Sequence, residues 1–334
     1  MKRILALLAA TGLLLAACDK SDTAAPATSS GNGGKKLTIG LLPKSKGNAY
    51  FVSCAKGAQK AADELGDTLI FDGPTTTDAA KQNEIVDNWV TSGVDVIAVA
   101  AENKEGLSTA LRKAQTKGIK IISFDADVLP DARSFFVNQA TPHGIGYTLM
   151  DEAARLCGKE GEFAIITGSL TADNQNEWKK YIDEDLKNYP NMKLVDFRPC
   201  DDDAAKAKSE ATTLLSAHPN LKLIMAICTP GVPGAAEAVK QAGKTGQVHV
   251  IGLGLPNENK DYVHAGVTDS VILWDTAALG SLTVHAADAL AKGTLKPGDK
   301  EFKVGDTTYK IEGDNIILGE PTIFTKTNID KYDF

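Results

Sequence analysis

Short, continuously apolar runs alternate along this chain with longer stretches whose apolar positions recur every three or four residues. The runs "LTIGLL" (37–42), "TLIFD" (68–72), "VDVIAVA" (94–100), "IKIISF" (119–124) and "SFFVN" (134–138) read as strands. Helical periodicity fills the intervals near 50–65, 77–92 and 104–117. The plan then restarts, with strands at "EFAIIT" (162–167), "MKLVDF" (192–197), "LKLIMAI" (221–227), "VHVIGLG" (248–254) and "SVILW" (270–274). Helices are expected near 175–188, 203–217, 231–243 and 256–265. Continuous rather than alternating apolarity suits parallel strands covered on both faces. Strand–helix alternation at this spacing predicts βαβ units and doubly wound sheets.

One plan used twice predicts an α/β protein of two doubly wound parallel-sheet lobes. The first is expected to take 37–140 plus about 275–298, the second 141–274 plus about 299–334. The tail differs from both. "DTAALGSLTVHAADALAKG" (275–293) reads as a long helix, and 300–324 as hairpin-forming strands with Gly and Asp-Asn turns. A tail that comes after both lobes and holds both element types predicts crossings between them, and several crossings make a hinge.

The first residues change the picture of where the chain works. Lys2 and Arg3 precede an apolar run from Ile4 to Ala17, too short for a comfortable membrane span and ending in small residues. Residues 1–17 therefore read as a leader. "LAAC", ending in Cys18, resembles a bacterial lipobox, in which cleavage precedes the cysteine and its sulfur is lipidated; a plain cleavable leader is the rival. Acyl chains at Cys18 would hold the protein at a membrane surface. Residues 18–36, rich in Ser, Thr, Gly and Ala, bury too little to order themselves and read as a flexible tether. The expected location is the periplasm, lipid-anchored to the cytoplasmic membrane, or the cell surface in a Gram-positive organism.

Composition then excludes several functions. The formal charge is −7, and losing Lys2 and Arg3 with the leader takes it to −9, which argues against a nucleic-acid partner. Cys54, Cys157, Cys200 and Cys228 show no CxxC spacing, so no metal site is expected, and their pairing is left open between free thiols and disulfides. No G-x-S-x-G, H-E-x-x-H or P-loop is present, and "GLG" at 252–254 lacks the third glycine of a dinucleotide fingerprint. The five histidines (143, 218, 249, 264, 285) share no ligand spacing. No cofactor and no enzymatic activity are expected.

In open parallel sheets, ligands bind outside the carboxyl ends of the strands. Lys44, Asn48, Tyr50 and Phe51 come after the first run, Asp125 after "IKIISF", and Asn174 with Gln175 after "EFAIIT". Cys228 and Thr229 come after "LKLIMAI", and Trp274 ends "SVILW". Amides and charged groups bond hydroxyls, and aromatic faces cover the C–H faces of a sugar ring. These residues would line a cleft between two lobes. The rival readings are a solvated loop charge for Lys44, a turn or helix cap for Asp125, N-capping for Asn174 and Gln175, and core for Trp274 and one of the aromatic pair. Trp178 reads as core and Asp127 as a turn residue.

The motifs "LLPKSKGNAYF", "ISFDAD", "FVNQATP", "ADNQNEW", "VIGLGLPNENKDYVHAGV", "LWDTAALG" and "NIDKYDF" span nearly all of 37–334. Together they resemble the sugar-binding periplasmic solute-binding proteins of ABC importers, in the branch of rhamnose and furanosyl-autoinducer binders. The resemblance implies the type I fold: two lobes, three crossovers, and closure around one ligand. It also implies a membrane permease as partner and no chemistry on the ligand. Lys44 stands in the family's "PK" lysine, Asn48 before its aromatic pair, Tyr50 and Phe51 in that pair, Asp125 in its strand-end aspartate and Gln175 in its glutamine. The chain departs from the autoinducer binders at Asn174 and at Ile227-Cys228-Thr229, while "GLGLPN" and "LWDTAALG" lean toward the rhamnose binders. A monosaccharide, foremost a deoxyhexose, is thus the expected ligand, with the furanosyl autoinducer as alternative and a monomer as the expected state. A receptor role, in which the closed form signals to a membrane sensor, is a further alternative. A sugar-responsive repressor is disfavoured, because leader and tether fill the place of a DNA-binding segment.

Overall fold

In the computed structural model, which describes residues 35–334, the alternation resolves into two sheets. The expected leader (1–17), Cys18 and nearly all of the tether lie outside the described residues. The first half runs β1 (Thr38–Leu42), α1 (Ala49–Leu65), β2 (Thr68–Phe71), α2 (Ala79–Ser92), β3 (Val96–Val99), α3 (Lys104–Thr116), β4 (Lys120–Phe124) and β5 (Phe135–Asn138). Then come α4 (Pro142–Leu156), β6 (Glu160–Thr167), α5 (Asp173–Asp185), β7 (Asn191–Pro199), α6 (Ala204–Ala217) and β8 (Leu221–Ala226). They are followed by α7 (Gly231–Gln241), β9 (His249–Leu253), α8 (Pro256–His264) and β10 (Ser270–Leu273). The chain closes with α9 (Thr276–Lys292), β11 (Glu301–Val304), β12 (Thr307–Glu312), β13 (Asn315–Ile317) and β14 (Thr322–Phe324).

The first sheet has the order β11-β12-β13-β5-β4-β3-β1-β2 and the second β14-β10-β9-β8-β6-β7. Strands β1 to β5 are parallel, as are β6 to β10. Both lobes therefore share one winding, in which the second strand lies outside the first and the third to fifth lie on its other side. The order reverses between β1 and β3 in one lobe and between β6 and β8 in the other. Buried β-branched and leucine side chains on both faces of these strands explain their unbroken apolar runs. Because β13 pairs with β5 and β14 with β10, the chain passes between the sheets three times: after β5, between β10 and α9, and between β13 and β14.

Two expectations need correction. The segment 299–334 does not belong wholly to the second lobe. Strands β11 to β13 extend the first sheet, β11 and β12 turning at Gly305-Asp306 and β12 and β13 at Gly313-Asp314; only β14 joins the second. The hairpin signal is local and carries no information on which edge it pairs with. Helix α4 has no counterpart among the helices expected from sequence. Pro142 sits in its first turn, where a missing N–H costs nothing, and Thr141 Oγ1 caps it by accepting from Gly144 N at 3.1 Å. Gly146 serves the packing of α4 on α5: a Cβ there would lie 2.8 Å from the carbonyl oxygen of Trp178.

The contact that fixes the ligand-facing helix is the crossing of α1 and α9. A Cβ on Gly57 would lie 1.8 Å from Ala277 O, and one on Gly280 would lie 1.8 Å from Cys54 O. The two backbones touch because both positions lack a side chain. Thr276 Oγ1 donates to Ser53 Oγ at 2.6 Å beside them. Tyr50 and Phe51 lie in the first turn of α1, and α9 starts two residues after Trp274, so this crossing sets the distance between residues of opposite lobes. Gly280→Ala should push the helices apart and lower stability by about 1–3 kcal/mol, as overpacking of a close contact does. Urea unfolding checks it; an unchanged midpoint would mean the crossing is soft.

Candidate functional site

The carboxyl ends of both sheets face one another, and the residues that converge come from the points where strand order reverses, where ligands of such sheets bind. Lys44 stands after β1, Asn174 and Gln175 open α5 after β6, and Cys228 and Thr229 stand after β8. Together with Asn48, Tyr50, Phe51, Asp125 and Trp274 they line one cavity. All ten expected positions thus stand at one place, though their part in binding is a matter for proposal.

Contacts across the cleft join the lobes. Lys44 is 3% exposed and its Nζ donates to Asn174 Oδ1 at 3.1 Å. Trp274 Nε1 donates to Tyr50 OH at 2.8 Å. Thr229 Oγ1 donates to Asn48 Oδ1 at 3.4 Å, the same oxygen that caps α1 by accepting from Tyr50 N at 3.0 Å. Asn48 thus both caps α1 and faces the cleft. Aromatic rings form a continuous wall: Tyr50 meets Phe51 edge-on at 5.1 Å and Trp274 at 6.2 Å, and Trp274 meets Trp178 at 6.1 Å. Trp178, read from sequence as core, is buried but also faces the cavity.

Asp125 owes its position to a strained turn. Ala126 N donates to Phe124 O at 2.6 Å, closing a three-residue turn with Asp125 at its apex and φ at +60°. This left-handed conformation is uncommon outside glycine, and aspartate is among the residues that tolerate it. The turn lifts the carboxylate off the end of β4 into the cavity, where the nearby Tyr50 hydroxyl helps hold its pKa down. Gln139 Nε2 holds the turn from behind by donating to Asp125 O at 3.1 Å.

The second lobe has a counterpart that sequence reasoning missed. Asp202, after β7, has φ of +52° and faces the cavity, preceded by Asp201 at +54°. Gly168 makes room for it, since a Cβ there would lie 2.3 Å from Asp202 Oδ1. The acidic run 201–203, shortly after the strand "MKLVDF", is the signal that could have found it. Leu253, Leu273 and Ile227 were also missed and supply an apolar patch. They are strand-end residues indistinguishable by type from core. After β9, Asn257 turns away, donating to Asp333 at 3.0 Å. Asp127 behaves as the turn residue expected, accepting two bonds of 2.8 Å from Arg133.

Electrostatically the cleft sets several carboxylates around one ammonium. Burial pushes the Asp125 carboxyl above the usual range, Lys44 and the Tyr50 hydroxyl pull it back, and Asp202 pushes it further. Asp202 is raised by burial, against Lys44 and the Cys228 thiol. Glu102, after β3, is raised by burial, with Lys44 again opposing and Asp202 and Asp201 adding. Burial, then the charge of Asp125, also raises Tyr50, which stays a neutral phenol. Cys228 Sγ lies 3.4 Å from Cys200 Sγ, and both are free, buried thiols; so are Cys54 and Cys157. The arrangement suits binding of an uncharged, hydroxyl-bearing molecule with an apolar face.

Comparison with known proteins agrees. The family described as periplasmic binding protein domain matches residues 39–295. The D-allose-binding periplasmic protein of Escherichia coli is 29% identical over 283 residues, 80% of this chain and 89% of that protein. An ABC transporter solute-binding protein of Clostridium phytofermentas, solved with bound L-rhamnose, superposes with a TM-score of 0.85 at 31% identity, covering 89% of this chain and 98% of that one. LsrB of Clostridium saccharobutylicum, solved with AI-2, gives 0.84 at 28% identity, covering 89% and 100%.

The raised pKa of Asp125 fixes a sign. The folded chain holds this proton more tightly than the unfolded chain, so the stabilising contribution of the neutral form is complete below the unfolded value and lost as pH rises through the folded one. Asp125→Asn mimics the neutral form at every pH. Thermal melts between about pH 4 and about pH 8 should show the variant's advantage over the wild type largest at the alkaline end and shrinking toward the acid end. An advantage independent of pH would contradict the assignment.

Proposed function

The chain belongs to the periplasmic binding protein domain family, and we propose that it captures a monosaccharide outside the cytoplasm and delivers it to the permease of an ABC importer. The observation that carries this reading is the pairing of hydroxyl-bonding groups from both lobes around one aromatic-walled cavity. Asp125 and Lys44 would bond adjacent sugar hydroxyls from the first lobe, and Gln175, Asn174 and Asp202 from the second. Tyr50, Phe51 and Trp274 would cover the ring's C–H faces. The family consists of substrate-binding transport components, which accords with a site that binds without converting.

A deoxyhexose is the favoured ligand. The patch of Ile227, Leu253 and Leu273 offers an apolar surface for a methyl group where an ordinary hexose carries a hydroxymethyl, and the Clostridium phytofermentas neighbour was solved with L-rhamnose. The furanosyl autoinducer is the second reading, favoured by the AI-2-bound neighbour and by Lys44, Asp125 and Gln175. Ligand binding would stabilise the closed form by population shift, and the permease would read that form. Diacylation at Cys18 would keep a monomeric protein near the permease, with 18–36 as its tether.

Thermal-shift screening with L-rhamnose, D-allose, D-ribose and the autoinducer tests the reading, since a bound ligand raises the melting point by mass action. L-rhamnose is expected to give the largest shift. Asp125→Ala should weaken its binding by ~2–4 kcal/mol in calorimetry, because hydroxyls and Lys44 are left without their partner in a dry site. Unchanged affinity would remove Asp125 from the ligand's contacts.

A further inference from the structure

Beside the ligand cavity, toward β5 and the start of α4, lies a second, adjoining chamber. Asp125, Asn174 and Trp178 line both spaces and stand between them. The chamber opens in turn onto a groove between α4, α5 and the β12–β13 edge. Its lining combines a polar and an apolar side. Phe136 and Trp178 are buried ring faces, while Asn138 is 6% exposed and Gln139 1%. The Gln139 amide nitrogen is committed to Asp125 O, but its Oε1 is buried with no hydrogen-bond partner among the described residues.

The partition is polar. Asn174 Oδ1 accepts from Lys44 Nζ across the cleft at 3.1 Å and from Gln175 N at 3.0 Å. Its side chain lies on the boundary between the two spaces, as the carboxylate of Asp125 does. A cavity that sealed one sugar ring on all sides would reject any group added to the ring's oxygens. A cavity with an adjoining chamber of mixed lining need not.

We propose that this chamber is a second subsite, which takes the aglycone or second sugar ring of a glycoside whose first ring rests against Tyr50 and Phe51. The inference rests on the sugar-binding reading above and extends the ligand class from free monosaccharides to small glycosides and disaccharides. The glycosidic oxygen passes between Asp125 and Asn174, and the outer ring rests against Phe136, Trp178 and the amide of Asn138. Glu177, exposed on α5, stands at the outer wall of the chamber without lining the ligand cavity, so it controls the subsite alone.

Calorimetry on the folded chain tests this with three series: L-rhamnose, D-allose and D-ribose, each beside its α- and β-methyl glycosides and a disaccharide bearing it at the non-reducing end. In the series whose free sugar binds, one methyl anomer is expected within about threefold of the free sugar and the disaccharide within about tenfold. Glu177→Trp, which fills the chamber, should weaken the disaccharide more than tenfold and the free sugar less than twofold. Rejection of both methyl anomers by more than a hundredfold, or equal losses for free sugar and disaccharide in Glu177→Trp, overturns the subsite while leaving monosaccharide capture intact. If no free sugar of the three series binds, the underlying reading falls and the subsite with it.

Discussion

Lys44 places a positive charge in the cleft with 3% of its surface exposed. An ammonium so far from water is costly unless charges and dipoles of the protein replace its hydration. Here the replacements come from both lobes: Asp125 and Glu102 on its own side, Asp202 and the amide of Asn174 on the other. The site therefore needs both lobes to be electrostatically complete, and their apposition is part of what solvates the charge. The same requirement explains why the carboxylates carry raised pKa values despite a nearby cation. One lysine is shared among several acids, and burial outweighs what each receives.

The winding is repeated in the two lobes, but the charges come from different strands. Each lobe has the same reversal of strand order, and each sends one aspartate into the cleft from a left-handed backbone position, Asp125 after the fourth strand of its lobe and Asp202 after the second of the other. Backbone strain of this kind persists only where the surroundings over-determine it. At Asp125 they do so through the bond from Gln139 and the hydroxyl of Tyr50; at Asp202, through the bare backbone of Gly168. Tyr50 is in turn fixed by Trp274, and both by the close crossing of α1 and α9 at Gly57 and Gly280. A chain of contacts thus runs from a helix crossing to the atoms that would meet a sugar hydroxyl.

Much of this was legible in the sequence because parallel strands write themselves as unbroken apolar runs and a binding cleft in such folds lies where those runs end. That rule placed Lys44, Asp125, Gln175 and Trp274 without any coordinates. It did not place Asp202, because the joint after "MKLVDF" reads equally well as a helix start. Nor could it separate Leu253 or Leu273 from core, since a leucine at a strand end looks the same in either setting. Helix α4 was hidden because Pro142, Gly144 and Gly146 resemble breakers, and only the packing against Trp178 shows why glycine is needed there. The pairing of β11 to β13 with the first sheet was beyond reach for a different reason. A hairpin sequence encodes its turn, while its docking edge is set by the distant β5.

The central claim is that two lobes close on one uncharged sugar held between them. Small-angle X-ray scattering on the folded chain, with and without saturating L-rhamnose, measures it directly. A smaller radius of gyration is predicted in the sugar-bound state, reversed by removing the sugar. Sugar bound at saturation, as confirmed by calorimetry on the same sample, with an unchanged scattering curve would contradict it.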